Sequence, residues 1–477
     1  MFFIIGLMLF FEGLIMLVPA FVALYYGEPD SMGFFVSTVI TETVGFVLAY
    51  SLRRHSTNIS KRDSYLLVVM VWFIFALFGT LPYLLSGFTN SFVDAFYESM
   101  SGITTTGSTI VSDFDSVTHG VFIWRSLTQW LGGMGIIALS IVLLPILGMG
   151  GMQVFSAEAS ITRADKIHPK IAEMAKYMWI FYVVFTIIEI VLLVVGDMPL
   201  FDAICHSFST IATGGFSTKA DSIGAFNSPY IESVVMVFMF LGGVNFALYY
   251  ALIVGKGRRI LADDELKSYI FIVILFSFLL ALILIFIGDY DTTGHAVRDS
   301  MFHIISVLTG SGFTTTNYSM WPVATSAFIA LLMFMGTCTG STSGGLKLMR
   351  LIVVGRNIIN EVKRAIHPTA IVNVRYNGRS LTSNEVFSVL SFFVLYFVII
   401  LIGIFIVTMF GYNLEDTYGL VVNSLSNVGC SIGNYGPSAS ICDLHPVVKM
   451  TMSVLMLIGR LEIFTVILIF TPTFWKR

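Results

Sequence analysis

Long apolar runs separated by short polar segments dominate the chain. Ten stretches reach the roughly 20 apolar residues that a helix needs to cross a bilayer. They run 2–26, 33–52, 64–86, 120–148, 174–196, 230–255, 268–288, 323–355, 384–411 and 447–471. Only the eighth is interrupted, by a glycine- and hydroxyl-rich segment from Gly336 to Gly345 that includes Gly340 and Gly344. The pattern predicts ten membrane helices, one of them broken. The first run has no basic segment before it and no small-residue cleavage site after it. It therefore reads as a retained helix rather than a signal peptide.

Composition removes the other broad classes. Of 477 residues, 56% are hydrophobic and 12% charged, with a mean hydropathy of +0.87. A soluble domain carries about 25% charged residues. An ordinary soluble enzyme, a nucleic-acid binder and a disordered chain are excluded, which leaves an all-α polytopic membrane protein. The four cysteines form no CxxC pair, so no disulfide or zinc framework is implied.

Charge then orients the helices. Twenty-one of the 26 basic residues fall in alternate loops or at the end of the chain. Arg53, Arg54, Lys61 and Arg62 follow the second run; Arg163, Lys166, Lys170 and Lys176 precede the fifth. Lys256, Arg258, Arg259 and Lys267 follow the sixth, and Lys347 to Arg379 follow the broken one. Lys476 and Arg477 end the chain. The positive-inside rule makes this side, and both termini, cytoplasmic. Arg125, Lys219, Arg298 and Lys449 are assigned in or near outer loops, and Arg460 lies inside the last run. The outer segments carry an excess of acidic residues, Glu98 among them, and an acidic mouth concentrates cations.

A fourfold internal repeat follows the third, fifth, seventh and ninth runs. In each copy an Asp stands 13 residues before a Gly, and a Ser or Asn stands 6 before it. The sets are Asp94/Ser101/Gly107, Asp202/Ser209/Gly215, Asp299/Ser306/Gly312 and Asp416/Asn423/Gly429. Asp makes up only 16 of 477 residues, so composition does not explain four matches. The repeat divides the chain into two N-terminal helices (1–62) and four span–loop–span units, 63–156, 170–260, 265–365 and 380–477.

Asp reads as the start of a helix, where a carboxylate meets free N–H groups. About ten residues follow, too few to span, and then a Thr/Ser/Gly-rich stretch. This predicts a re-entrant half-helix and an irregular strand, which at membrane depth must be buried or line a wet cavity. Four such strands about one axis would form rings of backbone carbonyls that replace a cation's hydration shell. The glycines permit positive φ, so their carbonyls can turn to the axis. The candidate ligands are the backbone carbonyls of Thr105, Thr106 and Gly107; Thr213, Gly214 and Gly215; Gly310, Ser311 and Gly312; and Asn427, Val428 and Gly429. Side-chain identity varies among them, which fits coordination by backbone.

These loops, with Trp130 to Gly135, the segment Gly340 to Gly345 and the ending Gly459 to Phe464, resemble the Trk/Ktr/HKT potassium-uptake superfamily, its TrkH branch in particular. The likeness covers essentially the whole chain. It implies a single-chain pseudo-tetramer of M1–pore loop–M2 units similar to a K⁺-channel subunit, with two added N-terminal helices. It further implies potassium uptake across the bacterial inner membrane, K⁺ ions in the filter with no covalent cofactor, a homodimer in lipid, and a separate cytoplasmic ring of TrkA-type nucleotide-binding subunits. In this family Ser at the first filter position goes with sodium permeation, so Gly107 points to potassium. Cys430 to Gly433 depart from the family's usual Pro-Gly-Leu-Gly, which affects only the outer lip of the fourth loop. No loop carries the full TVGYG of K⁺ channels, so a shorter and less discriminating filter is expected.

Gly336, Gly340, Gly344 and Gly345 resemble the family's gating loop. Arg460 costs about 2.5–3.5 kcal/mol within a membrane helix. It therefore faces a cavity or a partner, where it can act as an electrostatic barrier and latch. Glu462, two residues on, is expected to point away from it. Glu12, Glu42 and Glu189 read as packing or interfacial residues, and His119, His206, His303 and His445 show no metal-ligand spacing. The competing functions are a sodium or mixed-cation transporter of the same fold, a membrane-embedded enzyme, and a receptor or scaffold. No HExxH, GxSxG or paired intramembrane aspartates occur, so the chain reads as a non-enzyme. A scaffold would need no matched re-entrant loops.

Overall fold

The computed structural model describes residues 1–52, 61–146, 170–255, 257–288, 290, 292–369, 372–437 and 439–476. Arg53, Arg54, Arg163, Lys166, Lys256 and Arg477, and the boundary of the first unit at 156, lie outside the described residues.

Two helices, Phe2–Tyr26 and Ser31–Leu52, form an antiparallel hairpin turned at Gly27, whose φ is +70°. Glycines let their backbones meet. A Cβ on Gly6 would lie 2.6 Å from the Ala49 nitrogen, and one on Gly45 would lie 2.6 Å from the Phe10 nitrogen. Small residues at such a contact let dispersion act between backbones where lipid offers no hydrophobic drive. The hairpin turn is tied to the first unit. Glu28 accepts from the His119 backbone N–H at 2.9 Å and pairs with its Nδ1 at 2.7 Å, and Thr118 donates to Asp30. Partial burial raises the Asp30 carboxyl above the usual carboxylate range.

Four units follow, each with a long first helix, a half-helix, an irregular strand and a second helix. The first helices are Lys61–Phe78 continued by Thr80–Leu85, then Lys170–Val195, Asp264–Phe286 and Ser383–Thr408. They are long and apolar enough to cross a membrane. Outward residues such as Phe271, Ile274, Phe278 and Phe286 make a lipid-compatible face. The half-helices are Phe92–Ile103, Leu200–Ile211, Thr293–Thr309 and Leu414–Ser426.

The second helices differ from the sequence expectation, which broke only one of them. In the first unit Gly135 takes φ 70° and ψ 135° inside His119–Ile146. In the second, Pro229–Gly242 and Phe246–Ile253 meet at 87°. In the fourth, Pro446–Arg460 and Ile463–Ile469 meet at 112°, with Glu462 at φ +60°. In the third, Val323–Leu332 ends after ten residues, and helix Leu348–Ile366 begins only after an irregular segment. Residues 323–355 are therefore not one span. Hydropathy reports how apolar a run is and not its direction, so breaks inside uniformly apolar sequence leave little trace in it.

Replacing Gly45 with Leu forces the hairpin helices apart. Overpacking of this kind costs about 1–3 kcal/mol. Gly45→Leu is expected to lower the thermal unfolding midpoint in detergent; an unchanged midpoint would mean that the two backbones do not touch.

Candidate ion pathway

The half-helices converge, and each delivers its repeat signature to one axis. Along each strand the sign of φ alternates. Thr105, Thr213, Gly310 and Asn427 have φ of 54°, 53°, 75° and 54°. Two residues on, Gly107, Gly215, Gly312 and Gly429 have φ of 85°, 77°, 70° and 88°. Alternating hand turns successive carbonyls toward one side. Three of the four residues at the earlier position carry side chains in the left-handed region, a strain that persists only where the surroundings impose it.

The four strands close into a ring. A Cβ on each filter glycine would fall under 3.0 Å from the carbonyl oxygen preceding the next unit's glycine. Gly107 meets Gly214, Gly215 meets Ser311, Gly312 meets Val428, and Gly429 meets Thr106. The units therefore follow one another around the axis in chain order. One cavity above the ring is lined by all four glycines together with Arg125, Lys219 and Asn423. The twelve candidate ligand residues thus come together at a single place.

In three units the residue six before the glycine ties the half-helix to its ascending strand. Ser101 donates to the Ser108 carbonyl at 2.6 Å, and Ser306 donates to the Phe313 carbonyl at 2.7 Å. Asn423 accepts from the Gly429 N–H at 2.8 Å. In the second unit the strand is held instead by Gln129 of helix His119–Ile146, which donates to the Gly214 carbonyl at 2.8 Å and accepts from the Phe216 N–H at 3.0 Å.

Asp94, Asp202 and Asp416 stand in the first turn of their half-helices, as the sequence suggested, but none of the four repeated aspartates is the capping residue itself. Ser91, Thr292 and Asn413 cap three of the half-helices, and Asp299 lies well inside its helix. The aspartates instead hold outer segments. Asp202 accepts from Thr218 at 2.7 Å, Asp299 from Thr315 at 3.2 Å, and Asp416 from the Asn434 N–H at 2.7 Å. Asp94 pairs with Lys449 at 2.6 Å.

A further set escaped the sequence reading. Glu98, His206 and His303 each stand nine residues before a filter glycine, a shared offset hidden by the change of residue type. All three are buried and reach the outgoing strand. Glu98 accepts from the Ile110 N–H at 2.9 Å, His206 Nε2 meets Ser217 Oγ at 3.0 Å, and His303 Nε2 meets the Thr316 carbonyl at 3.3 Å. Glu98 is therefore a buried brace rather than a mouth residue.

Arg125 and Lys449, assigned to outer loops, are also buried inside helices. Arg125 pairs with Glu98 at 2.7 Å, donates to the Ser217 carbonyl at 3.1 Å, and sits 4.2 Å from the Phe216 ring centroid. It joins the strands of the first two units.

The irregular segment of the third unit lies directly beneath the ring. Its neck is closed by the Leu346 N–H donating to the Phe334 carbonyl at 3.0 Å and by the Gly336 N–H donating to the Leu346 carbonyl. Gly340 and Gly345 take φ of 79° and 68°. Thr342 Oγ1 accepts from Thr213 Oγ1 at 3.2 Å and lies 3.1 Å from the Ile211 carbonyl. Gly344 packs against Ser426 and Asn427 so closely that a Cβ there would collide with the Ser426 carbonyl.

Arg460 clasps this segment. It donates to the Thr342 carbonyl at 2.7 Å, and to the Gly133 carbonyl at 3.2 Å and the Gly132 carbonyl in the first unit. Glu462 lies beyond the helix break and pairs with Arg350 at 2.7 Å. The helical-wheel argument for its direction does not apply, because the two residues do not share a helix.

The chain matches the family model described as TrkH, cation transport protein, over residues 30–477. It is 35% identical to the Trk system potassium uptake protein TrkH of Salmonella typhimurium, covering 99% of this chain and 98% of that one. It is 34% identical to the Trk system potassium uptake protein TrkG of Escherichia coli, covering 99% of this chain and 97% of that one. The crystal structure of the potassium transporter TrkH from Vibrio parahaemolyticus superimposes with a TM-score of 0.89 at 34% identity, covering 99% of this chain and 98% of that one. A ring of four carbonyl strands built by one polypeptide, with matches of this extent in sequence and structure, shows that the chain belongs to the TrkH family of cation transport proteins.

Proposed function

We propose that this protein carries potassium ions across the bacterial inner membrane through the ring of backbone carbonyls at Gly107, Gly215, Gly312 and Gly429. The cyclic contact of each glycine with the next unit's carbonyl carries the reading, because it supplies closely spaced oxygens without side-chain ligands. The relatives' names as potassium uptake proteins support the choice of ion. The segment Gly336–Gly345 is the gate and Arg460 its latch. Within the basic run Lys347 to Arg379, Lys347 and Arg350 are engaged inside the protein, and the exposed part, Lys363, Arg364, Arg375 and Arg379, receives a cytoplasmic TrkA-type nucleotide-binding ring. The protein works as a homodimer with both termini cytoplasmic.

The direct test is ion flux in liposomes holding the purified protein under a set voltage, with K⁺ or Na⁺ and with or without a pH gradient. Voltage-driven K⁺ flux well above Na⁺ flux is expected; equal fluxes would favour a mixed-cation transporter.

Gly107→Ser places a side chain against the Gly214 carbonyl and displaces a filter ligand. Na⁺ permeation relative to K⁺ is expected to rise several-fold with folding retained. An unchanged ratio would remove this strand from the filter.

Arg460→Gln removes a charge and weakens the hydrogen bonds that hold the segment closed. Hydrogen bonds to charged groups are worth about 1.5–3 kcal/mol, and every 1.4 kcal/mol is tenfold, so basal K⁺ flux should rise about tenfold or more. Parent-level flux in a well-folded variant would make Arg460 a structural residue only.

A further inference from the structure

Glu265 is buried in the first turn of helix Asp264–Phe286, where neither the filter nor the latch uses it. Its carboxylate accepts from the Thr339 N–H at 3.1 Å, from the Thr339 hydroxyl at 2.8 Å and from the Met349 N–H at 2.8 Å. Thr339 lies in the irregular segment, just before Gly340. Met349 is in the first turn of Leu348–Ile366, where helix N–H groups have no partner within their own helix. One carboxylate from a long membrane helix thus fastens the incoming and outgoing ends of the segment. Without it, two backbone N–H groups in a buried place lose their acceptor, at about 1–3 kcal/mol each.

The two preceding residues face the cytoplasmic hairpin. That hairpin pairs Arg375–Tyr376 with Arg379–Ser380 through an Asn377-Gly378 turn, with φ of 47° and 76°. Such a turn favours Asn-Gly, which accommodates two successive positive φ values. The turn is locked to the start of the long helix. The Asn377 N–H donates to Asp264 at 2.9 Å, Asn377 Nδ2 donates to Asp263 at 3.1 Å, and the Asp264 N–H donates to Asn377 Oδ1 at 2.7 Å. Arg356, on Leu348–Ile366, donates to Asp264 at 2.8 Å. Val374 packs in a cluster with Met349, Val353 and Val354, and Tyr376 lies against it. The outer side of the hairpin is exposed.

We propose that Glu265 is the positioning residue that keeps the segment seated under the filter, and that the Asn377 hairpin controls Glu265 through Asp263 and Asp264. The proposal rests on the reading of Gly336–Gly345 as the gate. A displacement of the hairpin tilts the first turn of Asp264–Phe286 and pulls the carboxylate from Thr339 and Met349 together. Both ends of the segment are then released at once.

The protein contains its own reporter. Cys338, next to Thr339, is a buried free thiol, whereas Cys442 is exposed. In a Cys442→Ser background, with Cys338→Ser as the blank, the modification rate of Cys338 by a charged thiol reagent is measured in detergent and K⁺ flux in liposomes. Glu265→Gln is expected to raise both several-fold and to leave the K⁺/Na⁺ ratio unchanged. Asn377→Ala, at an exposed turn, is expected to act in the same direction, and the double variant to do no more than Glu265→Gln alone. Thr339→Val, which deletes one donor, serves the same measurement if Glu265→Gln does not fold. Unchanged Cys338 reactivity in the folded variants, or additive effects of Asn377 and Glu265, would overturn the clamp. Faster labelling with parent-level flux would instead uphold the clamp and overturn the gate.

Discussion

Backbone that leaves regular helix at membrane depth has no water to satisfy it, so each freed N–H and C=O must find a partner or face a wet cavity. The molecule's unusual features follow from that constraint. Four irregular strands expose carbonyls to the axis, and their outer sides need donors and acceptors in return. Breaks in the second helices free further groups, which are then used. Gly132 and Gly133 sit just before the Gly135 break and receive Arg460. Gly242 and Gly243, at the second unit's break, accept from the N–H groups of Thr342 and Cys338. Asn245 begins the helix after that break, and the Phe246 N–H donates to the Gly340 carbonyl. The irregular segment of the third unit is therefore seated on carbonyls and amides that broken neighbours make available.

The same constraint explains why the four units are alike in backbone and unlike in chemistry. Each ascending strand needs to be held from behind, and a hydroxyl or an amide on its own half-helix, or a glutamine on the neighbouring unit's helix, can do it. Ser101, Ser306, Asn423 and Gln129 are four answers to one geometric demand. The outgoing strands make a second demand, met by Glu98 with Arg125, by His206 and by His303. Buried ionic and polar groups contribute little net stability but are costly to leave half-satisfied. Their consequence here is uniqueness: a strand held from behind keeps its carbonyls at fixed spacing, which the proposed role of the ring requires.

Much of this was legible in the sequence because it is periodic. Apolar runs marked the long helices, and the Asp–Ser/Asn–Gly spacing marked four strands whose glycines meet at one ring. The roles of individual residues were less accessible. Asp at a fixed offset marked the start of three half-helices, but not its partners Thr218, Thr315 and Asn434, which lie beyond the strand. Glu98, His206 and His303 share a position but no residue type, and repeat detection weighs identity. Arg125 and Lys449 looked like loop charges because their acidic partners are distant in sequence. The bends at Gly243–Asn245 and Leu461–Glu462 fall within apolar runs, where hydropathy carries no direction.

The seating of the proposed gate has an energetic consequence for its opening. Thr342 touches the start of the second filter strand through Thr213 and Ile211, and Gly344 abuts the fourth at Ser426 and Asn427. Moving the segment removes those contacts, so the proposed gate and the carbonyl ring are mechanically joined. Most of the lost bonds are neutral, and a segment rich in Thr, Ser and Gly can exchange them for water in an opened cavity at a net cost of about 0.5–1.5 kcal/mol each. The charged contacts are different. Arg460 and Glu265 each serve several groups at once and lose more when their partners leave. A polar segment held by charged groups, Arg460, Glu265 and Lys347, which donates to the Ser343 carbonyl at 2.6 Å, is thus cheap to solvate and expensive to unfasten, which is the energy profile that a bistable element requires.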